Sequence, residues 1–228
     1  MSTPAKKEVV REMFDDISPK YDFLNHFLSF GIDQTWRRKL VAMLADHKPA
    51  TVLDVATGTA DLAIAIAALK PRKISGIDIS EKMIEIGRGK IAGKGLENLI
   101  TLRQADAEKI PFSDHSFDAI TVAFGVRNYE NLELGLQEMR RVLRPGGVML
   151  ILEFSHPATF PMKQLYAFYS RYIIPLTGRL ISRTTTGAIL TFTASTLAVS
   201  FTGAGLQAVN SNTVAKKSAV IIMVAPLI

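Results

Sequence analysis

The chain has 228 residues, of which 48% are apolar and 21% are charged, and this composition predicts an ordinary globular protein with one α/β domain. The absence of cysteine excludes disulfides, thiolate metal sites and cysteine nucleophiles, and it fits a cytoplasmic protein. The net charge is +6, but no dense Lys/Arg block interleaved with aromatic residues occurs, so nucleic-acid binding is not expected.

The N-terminal segment, residues 1–47, is predicted to form a helical cap on a single domain of residues 1–228. Charges between Met1 and Arg11 argue against the apolar core of a secretory signal peptide. Apolar spacing predicts one helix over Lys6–Ile17 and another over Gln34–Ala45. The aromatic-rich stretch at residues 20–31 has two interpretations, a lid packed on the domain or a lining of the substrate site.

Strands and helices alternate strictly from residue 51 to residue 154. Such alternation predicts a parallel sheet with helices on both faces. The predicted strands begin at Thr51 and then cover Lys73–Ile79, Leu99–Arg103, Phe117–Ala123 and Val148–Phe154, and the predicted helices are Ala60–Leu69, Lys82–Ile91 and Leu132–Leu143.

The first strand leads into a corner of small residues, Thr57–Ala60, and then into an alanine-rich helix. A strand, a tight turn and a helix start in this order favour binding of an anion or a nucleotide, because N–H groups point out of the turn. No G-x-G-x-x-G or P-loop pattern is present, so dinucleotide and P-loop sites are not supported.

Three acidic residues stand at the ends of the first three strands, namely Asp54, Asp78 and Asp106. In a doubly wound sheet these ends open onto one crevice. A carboxylate after the second strand suits the two hydroxyls of a ribose, and one after the third can recognise an adenine edge. Each acid could instead cap the helix behind it, but three in register favour binding.

Several sequence motifs resemble the class I methyltransferases that use S-adenosylmethionine. These are residues 52–59, 76–80, 106–112 and 143–147. Two further motifs, Phe-Gly-Val-Arg-Asn at 124–128 and Leu-Glu-Phe-Ser at 152–155, are similar to the UbiE/MenG C-methyltransferases of quinone biosynthesis. The resemblance extends from Val9 to Arg183.

The resemblance implies a Rossmann-like, seven-stranded, mostly parallel sheet with N-terminal helices and an aromatic flap before the last two strands. It also implies roles in binding S-adenosyl-L-methionine. Asp54 belongs to the cofactor corner, Gly58 and Thr59 hold the amino-acid end, Asp78 the ribose, and Asp106 with Ala107 the adenine. Two residues depart from the family pattern. Ala60 stands where a glycine is usual; its methyl group suits the position if φ is negative, but it could tighten the pocket. Ala123 replaces a serine found in some members.

The implied reaction is C-methylation of a polyprenylated quinol, with demethylmenaquinol as the first choice. The alternatives are a 2-polyprenyl-6-methoxy-benzoquinol of ubiquinone biosynthesis, or a cofactor-binding module inactivated by its tail. Three residues near the mouth are the catalytic candidates. Arg127 would stabilise the quinolate because arginine stays protonated, Asn128 would orient it, and Tyr21 would accept or relay the proton. The four histidines lack metal-ligand spacing, so no metal is expected.

The segment Lys163–Arg183 mixes aromatic and basic residues. It fits a flap over a lipid-tailed substrate at a membrane surface, or an ordinary helix packed on the sheet. We therefore expect peripheral contact with the inner face of the membrane, with a homodimer as one option for assembly.

The tail after Arg183 departs from the resemblance. Residues 184–215 carry no charge, but their hydroxyl residues and glycines argue against a membrane span. Gly205–Val209 and Ser218–Val224 are predicted as the last two strands. The alternative is a tail that has diverged or is read in a shifted frame.

Overall fold

The N-terminal segment is helical in the computed structural model, which describes residues 5–28, 31–155, 171 and 219–226. In the described part of this segment, three α-helices precede the first strand: α1 (Lys6–Ile17), α2 (Tyr21–Leu28) and α3 (Ile32–Ala45). The helix predicted at Lys6–Ile17 is confirmed to the residue. The next predicted helix is confirmed with a start two residues earlier, directly after Gly31, whose φ of +75° a glycine adopts without strain.

The alternating region forms the predicted parallel sheet. Its elements are β1 (Thr51–Val55), α4 (Asp61–Ile66), β2 (Lys73–Asp78), α5 (Glu81–Ala92), β3 (Ile100–Gln104), β4 (Phe117–Ala123), α6 (Leu132–Val142), β5 (Leu143–Ser155) and β6 (Ala219–Pro226). The strand order is β3-β2-β1-β4-β5-β6, and the pairs β1–β2, β2–β3, β1–β4 and β4–β5 are all parallel.

The strand order reverses between β1 and β4. Right-handed crossovers on either side of this point place α4 and α5 on one face of the sheet and α6 on the other. All five residues of β1 are buried, as expected for a strand covered on both faces. The crevice at the carboxyl ends of β1 and β4 is therefore the place where a doubly wound sheet binds its ligand.

Strand β5 begins five residues earlier than predicted. Leu143 pairs with Phe117, but the next pair along β4 joins Ala119 to Val148, so residues 144–147 bulge out of the ladder. A Cβ atom at Gly147 would lie 2.7 Å from the Asp118 carbonyl oxygen, which explains why this close approach uses glycine. The Arg-Pro-Gly-Gly motif is a bulge within a strand and not the boundary before it.

The chain divides into two compact units. The first comprises residues 1–153 and 206–223, and the second comprises residues 154–205 and 224–228. The single-domain interpretation stays a prediction. Six strands are described; the strand predicted at Ser218–Val224 is confirmed as β6, whereas the one at Gly205–Val209 lies outside the described residues, as does the flap apart from the exposed Arg171. None of the described helices has the length and apolar character needed to cross a membrane.

Candidate active site

In the corner after β1, every second residue from Ala56 to Ala60 has a left-handed backbone conformation. Ala56, Gly58 and Ala60 have φ values of +54°, +56° and +68°. Ala60 therefore does not have the negative φ that would suit an alanine at this position. It adopts a left-handed conformation that costs an L-residue about 1–2 kcal/mol. Its methyl group is fully buried against Gly87, where an added Cβ would come within 3.2 Å of it. The methyl group thus packs beneath the turn.

Asp54 forms the base of this corner. Its carboxylate is only 1% exposed and accepts hydrogen bonds from the Thr57 hydroxyl at 2.6 Å and the Thr121 hydroxyl at 2.7 Å. Burial raises the pKa of Asp54 to about 6, although the two hydroxyl groups oppose this shift. These bonds tie β1 to β4 and fix the turn. Asp54 therefore supports the predicted cofactor site indirectly, by fixing the shape of the corner.

Asp78 ends β2 inside the crevice. Its two carboxylate oxygens accept backbone N–H groups, one from Gly58 at 2.8 Å and one from Ser80 at 2.9 Å. Burial raises the pKa of Asp78, and these N–H donors oppose the rise. The carboxylate is therefore held rigidly by two strand-end loops, and its remaining lone pairs are available to accept the hydroxyls of a ribose.

Asp106 follows β3 and folds back on its own loop. One oxygen accepts the Glu108 N–H at 2.8 Å, while the other lies 3.4 Å from the Lys7 ammonium group of α1. The Asp106 carboxylate raises the pKa of Lys7 above its ordinary value. Asp106 and Ala107 line the same cavity as Asp78, on the side that α1 closes.

Thr59 has its hydroxyl occupied by protein groups. The hydroxyl donates to the Asp22 carboxylate of α2 at 2.6 Å and accepts from the Lys90 ammonium group of α5 at 3.0 Å, and the residue is only 2% exposed. Any contact of Thr59 with the cofactor's amino-acid end is thus left to its backbone. Its side chain fastens α2 to the corner.

Tyr21 is the first residue of α2 and covers the turn. An added Cβ at Gly58 would lie 3.9 Å from its Cε1 atom, and its ring packs edge-on against Phe14 with centroids 6.1 Å apart. Burial raises the pKa of Tyr21, so its phenol keeps its proton at neutral pH. It can therefore donate a hydrogen bond or pass a proton, and it is poorly suited to act as an ionised base.

Two cavities meet at this tyrosine, and both lie within the described residues of the first unit. One contains Asp78, Asp106 and Ala107, and the other lies against Asp54, Arg37 and Thr59. They share five lining residues, Tyr21, Ala56, Gly58, Ala123 and Phe124. Their lining suits an elongated small molecule, with acceptors for hydroxyl groups at one end and paired charges at the other. S-adenosyl-L-methionine fits this donor and acceptor set.

Two of the three predicted catalytic residues, Arg127 and Asn128, follow β4 in a short 3-10 helix, Val126–Asn128. Gly125 brings this turn against the corner, because an added Cβ there would lie 2.5 Å from the Ala56 methyl group. Asn128 lines the larger cavity. Arg127 donates through Nη1 to Glu153 Oε1 at 2.7 Å, and Glu153 lies at the carboxyl end of β5 with its side chain only 10% exposed.

Sequence reasoning placed Glu153 in a family motif but gave it no role. Its strand-end position is the signal that identified Asp78 and Asp106, and the same rule applied to β5 would have found it. Arg37 and Lys90 were missed because helix position alone does not reveal that both side chains reach the corner. No group of three residues suited to a metal occurs among the residues that the structure describes.

Comparison with known proteins identifies the family. The model of the ubiE/COQ5 methyltransferase family matches residues 2–221, nearly the whole chain and well past Arg183. The chain belongs to the ubiE/COQ5 methyltransferase family. It is a C-methyltransferase, and its cofactor is S-adenosyl-L-methionine, as the sequence motifs predict.

Individual relatives agree with this family. The chain is 49% identical over 180 residues to a demethylmenaquinone methyltransferase of Porphyromonas gingivalis, covering 78% of this chain and 74% of that protein. It is 50% identical over 179 residues to one of Bacteroides fragilis, covering 78% and 73%. The ubiquinone/menaquinone biosynthesis C-methyltransferase UbiE of Geotalea daltonii is 49% identical over 180 residues, covering 78% and 77%.

Solved structures share the fold of this family member. The [4+2]-cyclase SpnF superposes with a TM-score of 0.55 at 22% identity, covering 72% of this chain and 66% of that one. The YcgJ protein of Bacillus subtilis gives a TM-score of 0.50 at 20% identity, covering 69% and 67%. These likenesses confirm the Rossmann-like α/β architecture.

Proposed function

We propose that the chain methylates a ring carbon of a polyprenylated quinol, with demethylmenaquinol as substrate and menaquinol as product. The observation that carries this proposal is the Arg127–Glu153 pair at the carboxyl ends of β4 and β5, next to the cofactor cavities. Two relatives at 49% and 50% identity carry the name demethylmenaquinone methyltransferase, which supports this choice of substrate.

The reaction requires a nucleophilic ring carbon aligned with a methyl group. The cofactor supplies that methyl group on a positively charged sulfur. When a quinol hydroxyl loses its proton, the carbon beside it gains enolate character and forms the new C–C bond as the S–CH₃ bond breaks. The ring carbon then loses its hydrogen as a proton, which restores the aromatic ring, and the oxygen takes up a proton to give the methylated quinol, so that one proton is released in all. Alignment of the two reactants supplies a large part of the acceleration.

Arg127 has the charge that this step needs. Its guanidinium group stays protonated, so it stabilises the negative charge that develops on the quinol oxygen. Glu153 accepts from Nη1 and fixes the direction of the guanidinium plane. Asn128 lines the larger cavity and can orient the same oxygen with its side-chain amide, while the protonated phenol of Tyr21 can relay the departing proton.

The cofactor roles follow the placement of the acids. Asp78 binds the ribose, Asp106 with Ala107 the adenine, and the backbone of Gly58 and Thr59 the amino-acid end, while Asp54 supports the turn that presents them. The lining of the two cavities by these residues supports this assignment.

The substrate is tested with S-adenosyl-L-methionine carrying a labelled methyl group and the full-length protein in detergent. We expect label in menaquinol when demethylmenaquinol is supplied. Label only in the product of a polyprenyl-methoxy-benzoquinol would replace the substrate with that of ubiquinone biosynthesis. Cofactor binding with no label in either quinol would contradict the proposal and favour an inactive cofactor-binding module.

We also propose that the protein contacts membranes peripherally, at their inner face. The polyprenyl tail of the substrate partitions into lipid, and the net charge of +6 favours anionic headgroups. Sedimentation with vesicles containing anionic lipid should carry the protein down at low salt and release it at high salt. Sedimentation of an equal fraction of the protein with neutral vesicles would contradict the proposed attraction to anionic headgroups. A homodimer stays a prediction.

A further inference from the structure

Lys90 sits at the centre of a charged cluster on the cap side of the corner. Its ammonium group lies 2.7 Å from an Asp22 oxygen of α2, 2.5 Å from an Asp61 oxygen of α4 and 3.0 Å from the Thr59 hydroxyl. Lys90 itself belongs to α5. One ammonium group therefore joins three elements that are separate in the sequence, and none of the motifs predicted this contact.

Asp22 is held from two sides. One carboxylate oxygen accepts the Thr59 hydroxyl at 2.6 Å, and the other faces Lys90. Because Asp22 and Asp61 each have an oxygen on the same ammonium group, those oxygens lie no more than about 5 Å apart. Without the ammonium charge the two carboxylates would repel each other, and α2 would be pushed away from the corner.

The arginine of the neighbouring helix does not replace this charge. Arg37 pairs with Asp61 at 3.0 Å and with the fully buried Asp33 of its own helix at 2.9 Å. Its guanidinium is thus shared between two carboxylates, while the contacts of Asp22 with the corner run through Lys90 and Thr59. Lys90 supplies the cation that offsets the Asp22 charge.

The residue before Asp22 is Tyr21, which covers the Gly58 turn and lines both cavities. We propose that Lys90 is a positioning residue that holds Asp22, and through it Tyr21, over the cofactor. This inference rests on the proposed function, in which Tyr21 lies beside the bound cofactor. The side chains of Lys90, Asp22 and Asp61 are 27%, 31% and 25% exposed, so water only partly screens their charges.

The test measures S-adenosyl-L-methionine binding by calorimetry, which needs no quinol. Lys90→Met should raise the dissociation constant about tenfold, as expected for breaking a partly buried ion-pair cluster. Asp22→Asn should act in the same direction and provides a second variant with almost unchanged shape. Lys82→Met is the matched control, because Lys82 is an exposed lysine on the same helix with no ion pair among the described residues; it should bind like the wild type.

A double-variant comparison separates positioning from general stability. In a Tyr21→Ala background, Lys90→Met should weaken binding less than about threefold, because the side chain that Lys90 positions is gone. Its effect on the thermal unfolding midpoint should be the same in both backgrounds. An equal loss of binding in both backgrounds, or unchanged binding in Lys90→Met, would overturn the inference. Wild-type binding without methyl transfer to any quinol would instead remove the proposed substrate and leave this inference standing.

Discussion

The two halves of the sheet hold their polar groups by different means. At the ends of β2 and β3, Asp78 and Asp106 accept backbone N–H groups from neighbouring loop residues. At the ends of β4 and β5, Arg127 and Glu153 hold each other through side chains that are 26 residues apart in the chain. The carboxylates of the cofactor half are therefore held by backbone N–H groups, whereas the acceptor half depends on one pair of charged side chains.

This difference predicts that binding and catalysis can be separated by mutation. A change in the first half should weaken the cofactor complex, and a change in the second half should slow methyl transfer without altering that complex. Tyr21 is common to both halves, because it lines the two cofactor cavities and is also a candidate for relaying the proton of the quinol.

The largest effect is expected for Arg127→Met. Removing the charge that stabilises the quinolate should lower kcat about 100-fold. Glu153→Gln keeps the Arg127 guanidinium group but weakens the hydrogen bond that orients it, and should lower kcat about tenfold. Steady-state rates of labelled methyl transfer measure both. Arg140→Met, at an exposed arginine of α6, is the control and should retain wild-type kcat; a similar loss there, or none in Arg127→Met, would refute the assignment.

Asp78→Asn should weaken the cofactor complex by roughly 1.5–3 kcal/mol, because the amide nitrogen cannot accept one of the two N–H groups that the carboxylate now accepts. The dissociation constant should rise at least about tenfold by calorimetry. Asp46→Asn, at an exposed residue outside the crevice, serves as the control. A change of less than about threefold in Asp78→Asn would show that backbone groups alone form the ribose site.

Asp54 should make stability depend on pH. Its pKa is raised from 3.8 to about 6, so its contribution to stability is fully present below pH 3.8 and is lost as the pH rises through 6. Between pH 5 and pH 7 the free energy of unfolding should fall by about 1 kcal/mol relative to Asp54→Asn. Urea unfolding of both proteins at the two pH values measures this. Parallel pH profiles would show that the buried carboxyl group does not titrate in this range.

The smallest effect is expected for Ala60→Gly. Relief of the left-handed strain is offset by the lost methyl burial and by the greater freedom of the unfolded chain, so the free energy of unfolding should change by less than about 1 kcal/mol. Because the methyl group packs against Gly87, the cofactor dissociation constant should stay within about twofold of the wild type. Tenfold tighter binding would show that this methyl group narrows the cavity.

The sequence predicted the sheet well because strict alternation of strands and helices leaves few topologies open. It also located Asp78 and Asp106, since their position at strand ends is visible in the chain itself. It could not predict the hydrogen bonds of Asp54 or Thr59, because these depend on Thr121, Asp22 and Lys90, which lie far away in the sequence.

The backbone of the corner was also not predicted from the sequence. An alanine does not by itself indicate a positive φ, although the glycine that is usual at position 60 in the family is typical of one. The sequence also predicted a strand start at Val148 and not at Leu143, because Pro-Gly-Gly is typical of turns as well as of bulges.

The separation of the two halves is tested most directly by calorimetric titration of S-adenosyl-L-methionine into Arg127→Met. We expect a dissociation constant within about threefold of the wild type, because neither Arg127 nor Glu153 lines the cofactor cavities. A rise as large as that expected for Asp78→Asn would show that the arginine belongs to the cofactor site, and would contradict the division of the sheet into a binding half and an acceptor half.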